Sequence, residues 1–245
     1  MPALRPLPCV LPGRFVQLEP LTAGLLPDLH RAIALPEVFA GGYGGGPAGL
    51  RTDPEEFTQW ARTYYRWGEL PFAVRLLAGG SPGTVVGTTS LADLDLPHES
   101  AQLGWTAYHP SVWGTAVNAE AKLLLLGLAF DAGFGRVSIQ ADARNERSRA
   151  AIAGIGATFE GIRRREKRRA DGSWRDAAVY SILAGEWPAS APDSPSGETG
   201  LQRVGRMSRR GRGSIRGKPK YSTRQYDSGN PAQRPEGKRR SPYEQ

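Results

Sequence analysis

Hydrophobic positions along residues 14–187 follow two spacings: the alternation typical of strands and the three-to-four spacing typical of helices. Alternation predicts strands at 14–21, 72–77, 84–91, 101–108, 137–141, from 156 into a charged hairpin at 163–175, and at 177–183. Helical spacing predicts helices at 25–33, from 53 onward, at 117–134 and at 145–155. This order predicts an α+β fold, in which three consecutive strands form an antiparallel meander.

Capping residues and glycines mark the ends of these elements. Thr22 is a predicted N-cap, Thr52 or Asp53 before Pro54 predicts the next helix start, and Asn145 or Asp142 would cap the last helix. The helix at 117–134 has leucines all around it, so we expect it to be buried on most sides. The glycine-rich stretch 41–49 predicts no regular structure, and it serves either as a flexible connector or as a lid.

Charge divides the chain into two parts. The 245 residues carry a net charge of +8, all of which falls in 188–245, whereas residues 1–187 have equal numbers of acids and bases. The segment 188–245 is rich in Arg, Gly, Ser and Pro and has few apolar residues, so it cannot bury enough surface to fold alone. We therefore predict one folded domain at 1–187 and a disordered basic tail at 188–245.

Several classes of protein are excluded. Cys9 is the single cysteine, so no disulfide framework forms within the chain, and three scattered histidines offer no metal-ligand spacing. The longest apolar run, 123–130, is too short for a membrane span, and prolines interrupt the first residues where a signal peptide would lie. We expect a soluble cytoplasmic protein that binds neither metal nor membrane.

The segment 104–122 holds the main candidate site. A predicted strand leads through a short loop with Gly114, Thr115 and Ala116 into the long helix. Small residues let backbone N–H groups approach a ligand, and a helix N-terminus adds unpaired donors and partial positive charge. Such a turn suits a phosphate or pyrophosphate, although an ordinary strand-to-helix turn has the same composition.

Four motifs, in order along the chain, carry a family resemblance. The run WGTAVNAEAK at 113–122 resembles the acyl-CoA pyrophosphate loop of the GNAT N-acetyltransferases. Asn145 and Ser148, followed by GATFEG at 156–161, resemble the branch that acetylates ribosomal-protein N-termini, as does the opening RFVQLEPL at 14–21. The closing stretch 176–187 resembles the last strand of that branch, so the resemblance extends over 14–187. The family's loop usually begins with Gln or Arg, whereas Trp113 stands there in this chain.

The resemblance implies a mixed, mostly antiparallel sheet flanked by helices, in which a splayed strand pair holds acetyl-CoA. The splay would lie between 101–108 and 137–141, and strand 105–108 would offer backbone donors to the thioester oxygen. The implied cofactor-binding residues are Trp105, Ala107, Tyr108, Trp113, Gly114, Thr115, Ala116, Val117, Asn118, Asn145 and Ser148. Ser148 is also a candidate proton donor, and Asn145 is both a predicted helix cap and a predicted contact.

The proton acceptor and the substrate stay open in the sequence. Glu19 is the candidate base, against a role as a surface carboxylate, and His109, Glu160 and Glu166 are weaker candidates. The acceptor is either a protein N-terminus or a small-molecule amine. Alternatively, a catalytically weak GNAT-like body would serve as an adaptor that contacts RNA or the ribosome through the tail at 188–245.

Overall fold

The computed structural model describes residues 2–187. The elements are β1 Leu11–Pro12, β2 Val16–Pro20, α1 Leu26–Ile33, α2 Pro36–Ala40, α3 Pro54–Tyr64, β3 Leu70–Leu76, β4 Val85–Asp95, β5 Ser100–Tyr108, α4 Ala116–Asp131, β6 Arg136–Asp142, α5 Glu146–Gly154, β7 Thr158–Arg168 and β8 Trp174–Leu183. The predicted α+β fold is confirmed. Met1 and the predicted tail at 188–245 lie outside the described residues.

One sheet of eight strands organises the described residues. The strand order is β1-β2-β3-β4-β5-β6-β8-β7, so the predicted meander is confirmed as β3-β4-β5. The neighbouring strands are antiparallel except β5 and β6, which are parallel. Parallel strands need a crossover connection, and α4 provides it, since this helix joins β5 to β6 along the chain.

Helices cover both faces of the sheet. Buried side chains of α4 and α5 pack with one face, here called the α4 face, and those of α1 and α3 pack with the other, the α1 face. The sequence correctly predicted that α4 is largely buried, and two of its buried residues, Glu120 and Lys122, are polar. None of the helices described within 2–187 is both long and apolar enough to cross a membrane.

Two local predictions were wrong. Thr22 makes no side-chain cap; a 3₁₀ turn, Ala23–Leu25, precedes α1 instead. The stretch 41–49 is not irregular, because it follows α2 and forms the 3₁₀ turns Tyr43–Gly45 and Pro47–Gly49. Glycine is needed there: Gly44 has a φ of 60°, and a Cβ on it would lie 2.6 Å from the Phe39 ring.

Candidate active site

Strands β5 and β6 separate halfway along their length. They pair from Ser100 with Arg136 as far as Leu103 with Ile139, and no pairs follow, although both strands continue. The predicted splay is therefore present. A cavity of about 250 Å³ occupies the gap, and its lining comes from both faces of the sheet.

A bulge shapes the β5 side of this gap. Ser90 pairs with Gly104 and Thr88 with Ala107, so two residues of β5, Trp105 and Thr106, face a single residue of β4. Trp105 has a φ of 49°, which places it in the left-handed region. Its indole therefore joins the α1 face, while the Thr106 hydroxyl lies on the α4 face within 3.4 Å of the Lys122 amine.

The loop between β5 and α4 closes one end of the cavity. Trp113 Nε1 donates to the carbonyl of Tyr108 at 3.0 Å, and the Thr115 hydroxyl donates to the carbonyl of Val112 at 2.7 Å. Gly114 has a φ of 74°, and no atom lies within 4 Å of where its Cβ would stand. The loop is thus held from both ends around a glycine with open space beside it.

The predicted cofactor residues divide into two groups. Eight line the cavity: Trp105, Ala107, Tyr108, Trp113, Gly114, Asn118, Asn145 and Ser148. Three at the start of α4, Thr115, Ala116 and Val117, line a neighbouring depression on the other side of the loop. The structure thus gathers the first group around one space and leaves the second group beside it.

Asn145 ties α5 to the glycine-rich turn. Its Oδ1 accepts from the backbone N–H of Ser148 at 2.9 Å, which is the predicted N-cap, and its Nδ2 donates to the carbonyl of Gly41 at 2.6 Å. Ser148 itself lines the cavity. Because Gly41, Gly42 and Tyr43 line the same cavity, the 41–49 segment forms part of its wall.

A cation lies beside the loop that lacks the expected Gln or Arg. The guanidinium of Arg147, from α5, stacks 3.6 Å above the Trp113 ring. Both residues line the cavity. Cation and indole attract each other through the ring quadrupole, so Trp113 positions a positive charge that comes from another element.

Three polar groups of the lining are unexpectedly buried. Lys122 is 4% exposed, and loss of hydration lowers its pKa to about 8. Its hydrogen bond to the Thr106 hydroxyl is long, at 3.4 Å, and no carboxylate of residues 2–187 forms an ion pair with it. Asn118 Oδ1 and the Tyr108 hydroxyl are buried without hydrogen-bond partners among the described residues. Groups of this kind favour a polar ligand in the cavity, since burial without a partner is costly.

One cation of the lining, Arg175, comes from β8. The Arg175 side chain borders the cavity, its Nε is buried without a partner, and burial lowers its pKa. Asp142 is engaged with Arg169 at 2.6 Å. Tyr64 also borders the cavity, and burial raises its pKa to about 12, so its hydroxyl is neutral at physiological pH.

The structure does not bring Glu19 to this cavity. Its carboxylate accepts two hydrogen bonds from Arg75, at 2.6 and 2.8 Å, and one from Gln17 at 2.8 Å. The hydrogen bonds from Arg75 lower the pKa of Glu19 most, and β2 lies three strands away from β5. The weaker candidates His109, Glu160 and Glu166 are likewise absent from the lining.

Sequence reasoning missed three residues that the structure places in the lining: Lys122, Arg147 and Arg175. Lys122 carried one available signal, since it is a charge within a largely apolar helix. Arg147 and Arg175 carried none, because charged hairpins and helix starts are normally solvated.

Comparison with known proteins identifies relatives. The family model described as an acetyltransferase (GNAT) domain matches residues 16–158. Among solved structures, a GCN5-related N-acetyltransferase from Brucella melitensis is 27% identical, with a TM-score of 0.68 over 83% of this chain and 96% of that chain. Another, named only as an acetyltransferase, is 34% identical, with a TM-score of 0.66 over 76% of this chain and 91% of that chain.

A third structure shares the fold at lower identity. RimJ from Mycobacterium smegmatis, in complex with CoA-disulfide, is 23% identical, with a TM-score of 0.65 over 84% of this chain and 98% of that chain. At this identity the likeness concerns the fold. No curated protein matches the sequence significantly.

Proposed function

The chain belongs to the GNAT acetyltransferase family and is an acetyl-CoA-dependent N-acetyltransferase; we propose that acetyl-CoA enters the β5–β6 gap from the α4 face and the acceptor amine from the α1 face. The observation that carries this proposal is the gap itself, a cavity that opens between two strands and is lined from both faces of the sheet. Reactants held on opposite faces would meet at the bulge of β5.

The residues of the α4 face suit acetyl-CoA, which supplies the acetyl thioester. Gly114 leaves room beside the start of α4, where unpaired N–H groups attract phosphate. Arg147 on Trp113 adds the cation that a pyrophosphate needs. The unpartnered Asn118 Oδ1 would accept from an amide N–H of the pantetheine arm. The predicted contacts at Asn145 and Ser148 remain part of this proposal.

The β5 strand would stabilise the reacting carbonyl oxygen. Beyond Leu103 the strand has no partner on its β6 side, so its backbone donors there are free to face the cavity. Trp105 and Thr106 form the bulge that aims this segment. Preorganised backbone donors of this kind stabilise negative charge as it develops on oxygen.

The reaction forms a C–N bond, breaks the C–S bond, releases one proton from the amine and delivers one to the thiolate. We propose Ser148 as the proton donor, because this residue lines the cavity from the first turn of α5. No carboxylate takes the role of base in this proposal. The positive charges of Lys122 and Arg175 would instead favour the neutral form of a bound amine.

The acceptor class follows from amine chemistry. A peptide N-terminus has a pKa of about 7.7–8.0 and is partly neutral at pH 7, whereas a lysine amine at about 10.4 needs a stronger base. A protein N-terminus, as in the ribosomal-protein branch, or a small-molecule amine therefore suits a site without a base. The adaptor alternative stays a prediction, since the tail that would carry it lies outside the described residues.

The test combines binding with turnover in the full chain. Acetyl-CoA at about 100 times its Kd should stabilise the protein by about 2.7 kcal/mol, which raises Tm by about 5–10 °C. Thiol release from acetyl-CoA is then followed with a panel of peptides and small amines. A Tm rise without turnover of any amine would favour the adaptor, and no Tm rise at all would contradict the proposed cofactor site.

A further inference from the structure

Two cations face each other across the β7–β8 pair. Lys167 lies directly opposite Arg175 in the antiparallel register. Like charges in this position destabilise a sheet. Burial lowers the pKa of Lys167, and the charge of Arg175 lowers it further. The fold therefore keeps an unfavourable pair, of which Arg175 lines the cavity.

The acids around this pair are engaged elsewhere. Asp142 binds Arg169 at 2.6 Å, Asp93 binds Arg66 at 3.1 Å, and Glu166 binds Arg163 at 3.3 Å. Asp142 acts on Arg175 from a distance, and Glu166 and Asp93 act on Lys167, but neither cation has an ion-pair partner of its own within residues 2–187. Nε of Arg175 is also buried without an acceptor.

An indole completes the arrangement. Trp105, which lines the cavity, has Arg66 at 5.5 Å and Lys167 at 5.8 Å from its ring centroid. Arg66 and Lys167 thus lie beside the ring of a lining residue, and Arg175 lines the cavity itself from β8. A molecule that enters from the α1 face thus meets positive charge beside a flat apolar surface.

We propose that the acceptor amine belongs to a molecule that also carries a carboxylate, which Arg175 binds with Lys167 beside it. A guanidinium matches a carboxylate in shape and in paired donors. The same cations repel polyamines and other polycations, so the site selects against them. This inference rests on the proposed function and adds its substrate class.

The carboxylate has two possible sources with the same chemistry. It is either the carboxylate of a free amino acid or the acidic side chain that follows a peptide N-terminus. Both place an amine a few bonds away from an anion. The experiment therefore has one arm for each source.

The test compares acceptors that differ only in charge. In the first arm, glycine, β-alanine, 4-aminobutyrate and 6-aminohexanoate are each paired with their carboxamides. In the second arm, the peptide amide Ala-Asp-Ala is paired with Ala-Asn-Ala. Thiol release at saturating acetyl-CoA yields kcat/KM for each acceptor. The kcat/KM of each acid is divided by that of its amide, and this ratio is compared between enzyme variants. Because both variants see the same two amines, differences in amine pKa cancel.

The native enzyme is expected to prefer the acid in at least one pair. Arg175→Gln should lower that preference by about tenfold or more, because it removes one partner of a desolvated charge pair. Arg164→Gln removes the same charge from an exposed position of β7 that does not line the cavity, so it should leave the preference unchanged. The arm in which Arg175→Gln removes the acid preference identifies the source of the carboxylate.

The inference is overturned if no pair shows an acid preference, or if the preference survives Arg175→Gln. Turnover of the amides without any acid preference would leave the proposed function standing. If no amine is acetylated, calorimetry with CoA and the N-acetylated products decides: the acids must bind more tightly than the amides, and Arg175→Gln must abolish the difference. Thermal unfolding of both variants confirms that they fold.

Discussion

The carboxylate of Glu120 accepts a hydrogen bond from the backbone N–H of Val16 at 2.8 Å, although 104 residues separate the two. The same carboxylate accepts from the N–H groups of Arg14 and Phe15 at 2.7 and 2.6 Å. A Cβ on Gly13 would stand 2.7 Å from the Glu120 carboxyl carbon, so the chain passes too close for any side chain there. Helix α4 thereby fixes the start of β2.

Glu120→Ala should therefore destabilise the fold strongly. It leaves three backbone donors without a partner, and we expect the free energy of unfolding to fall by about 3 kcal/mol or more. Glu120→Gln keeps the shape and one acceptor oxygen, so its effect should be smaller. Urea unfolding measures both, with Glu56→Gln on the exposed face of α3 as the control. Equal stability of Glu120→Ala and this control would refute the role.

Asn145 has two roles, as the N-cap of α5 and as a hydrogen-bond donor to the 41–49 segment, and substitutions can separate them. Asn145→Ala removes both contacts, whereas Asn145→Asp keeps the acceptor for Ser148 and loses the donor to Gly41. Backbone hydrogen exchange at residues 42–46 should therefore accelerate in both variants. Exchange in the first turn of α5 should accelerate only in Asn145→Ala, because loss of the N-cap lowers the stability of the helix by about 1 kcal/mol. Unchanged exchange at 42–46 in Asn145→Asp would show that the tether does not hold the cavity wall.

Lys122 makes stability depend on pH in the alkaline range. Its pKa is about 8 in the folded protein, against 10.5 in a model compound, because burial disfavours the charged form. The difference lowers the free energy of unfolding by about 3 kcal/mol below pH 8, where Lys122 is charged in both states. Between pH 8 and pH 10.5 Lys122 is neutral in the folded protein and still charged in the unfolded chain, so this penalty disappears as the pH rises. The native protein should gain stability over this window.

Lys122→Met provides the comparison for that profile. Methionine fills a similar volume without charge, so the variant should be more stable than the native protein at pH 7, and the two should converge near pH 10.5. Denaturant unfolding from pH 7 to pH 10.5 follows the difference between them. A difference that does not change with pH would mean that Lys122 keeps its ordinary pKa in the folded state.

Gly114 is predicted to matter for binding more than for folding. Gly114 and Gly172 both have positive φ, 74° and 82°, and at both no atom lies within 4 Å of the added Cβ. Valine at either position should therefore introduce similar backbone strain and lower Tm similarly. Only Gly114→Val should abolish the rise in Tm caused by acetyl-CoA, because its side chain occupies the open space beside the loop. Retention of that rise would place the phosphates elsewhere.

The helices were easier to predict from sequence than the glycine-rich segment. Of the two predicted starts of α3, Thr52 and Asp53, the structure has Asp53 as the N-cap, and the leucines of α4 predicted its burial, because capping and helical spacing are local properties. The segment 41–49 was mispredicted because the ring of Tyr43 packs against Trp60, 17 positions later, and this contact stabilises turns that glycine composition alone disfavours.

Local sequence patterns predicted most of the order of elements and the glycine loop before α4, since each depends on residues close together in the chain. They did not predict β1 or α2, and the place of the splay was implied by the family resemblance. Which charged side chains lie at the site was visible only in the tertiary structure. The stacking of Arg147 on Trp113 depends on how α5 packs, and the pairing of Lys167 with Arg175 depends on strand register. Such contacts join residues from separate elements, and only the packed sheet brings them within the few ångströms over which these interactions act.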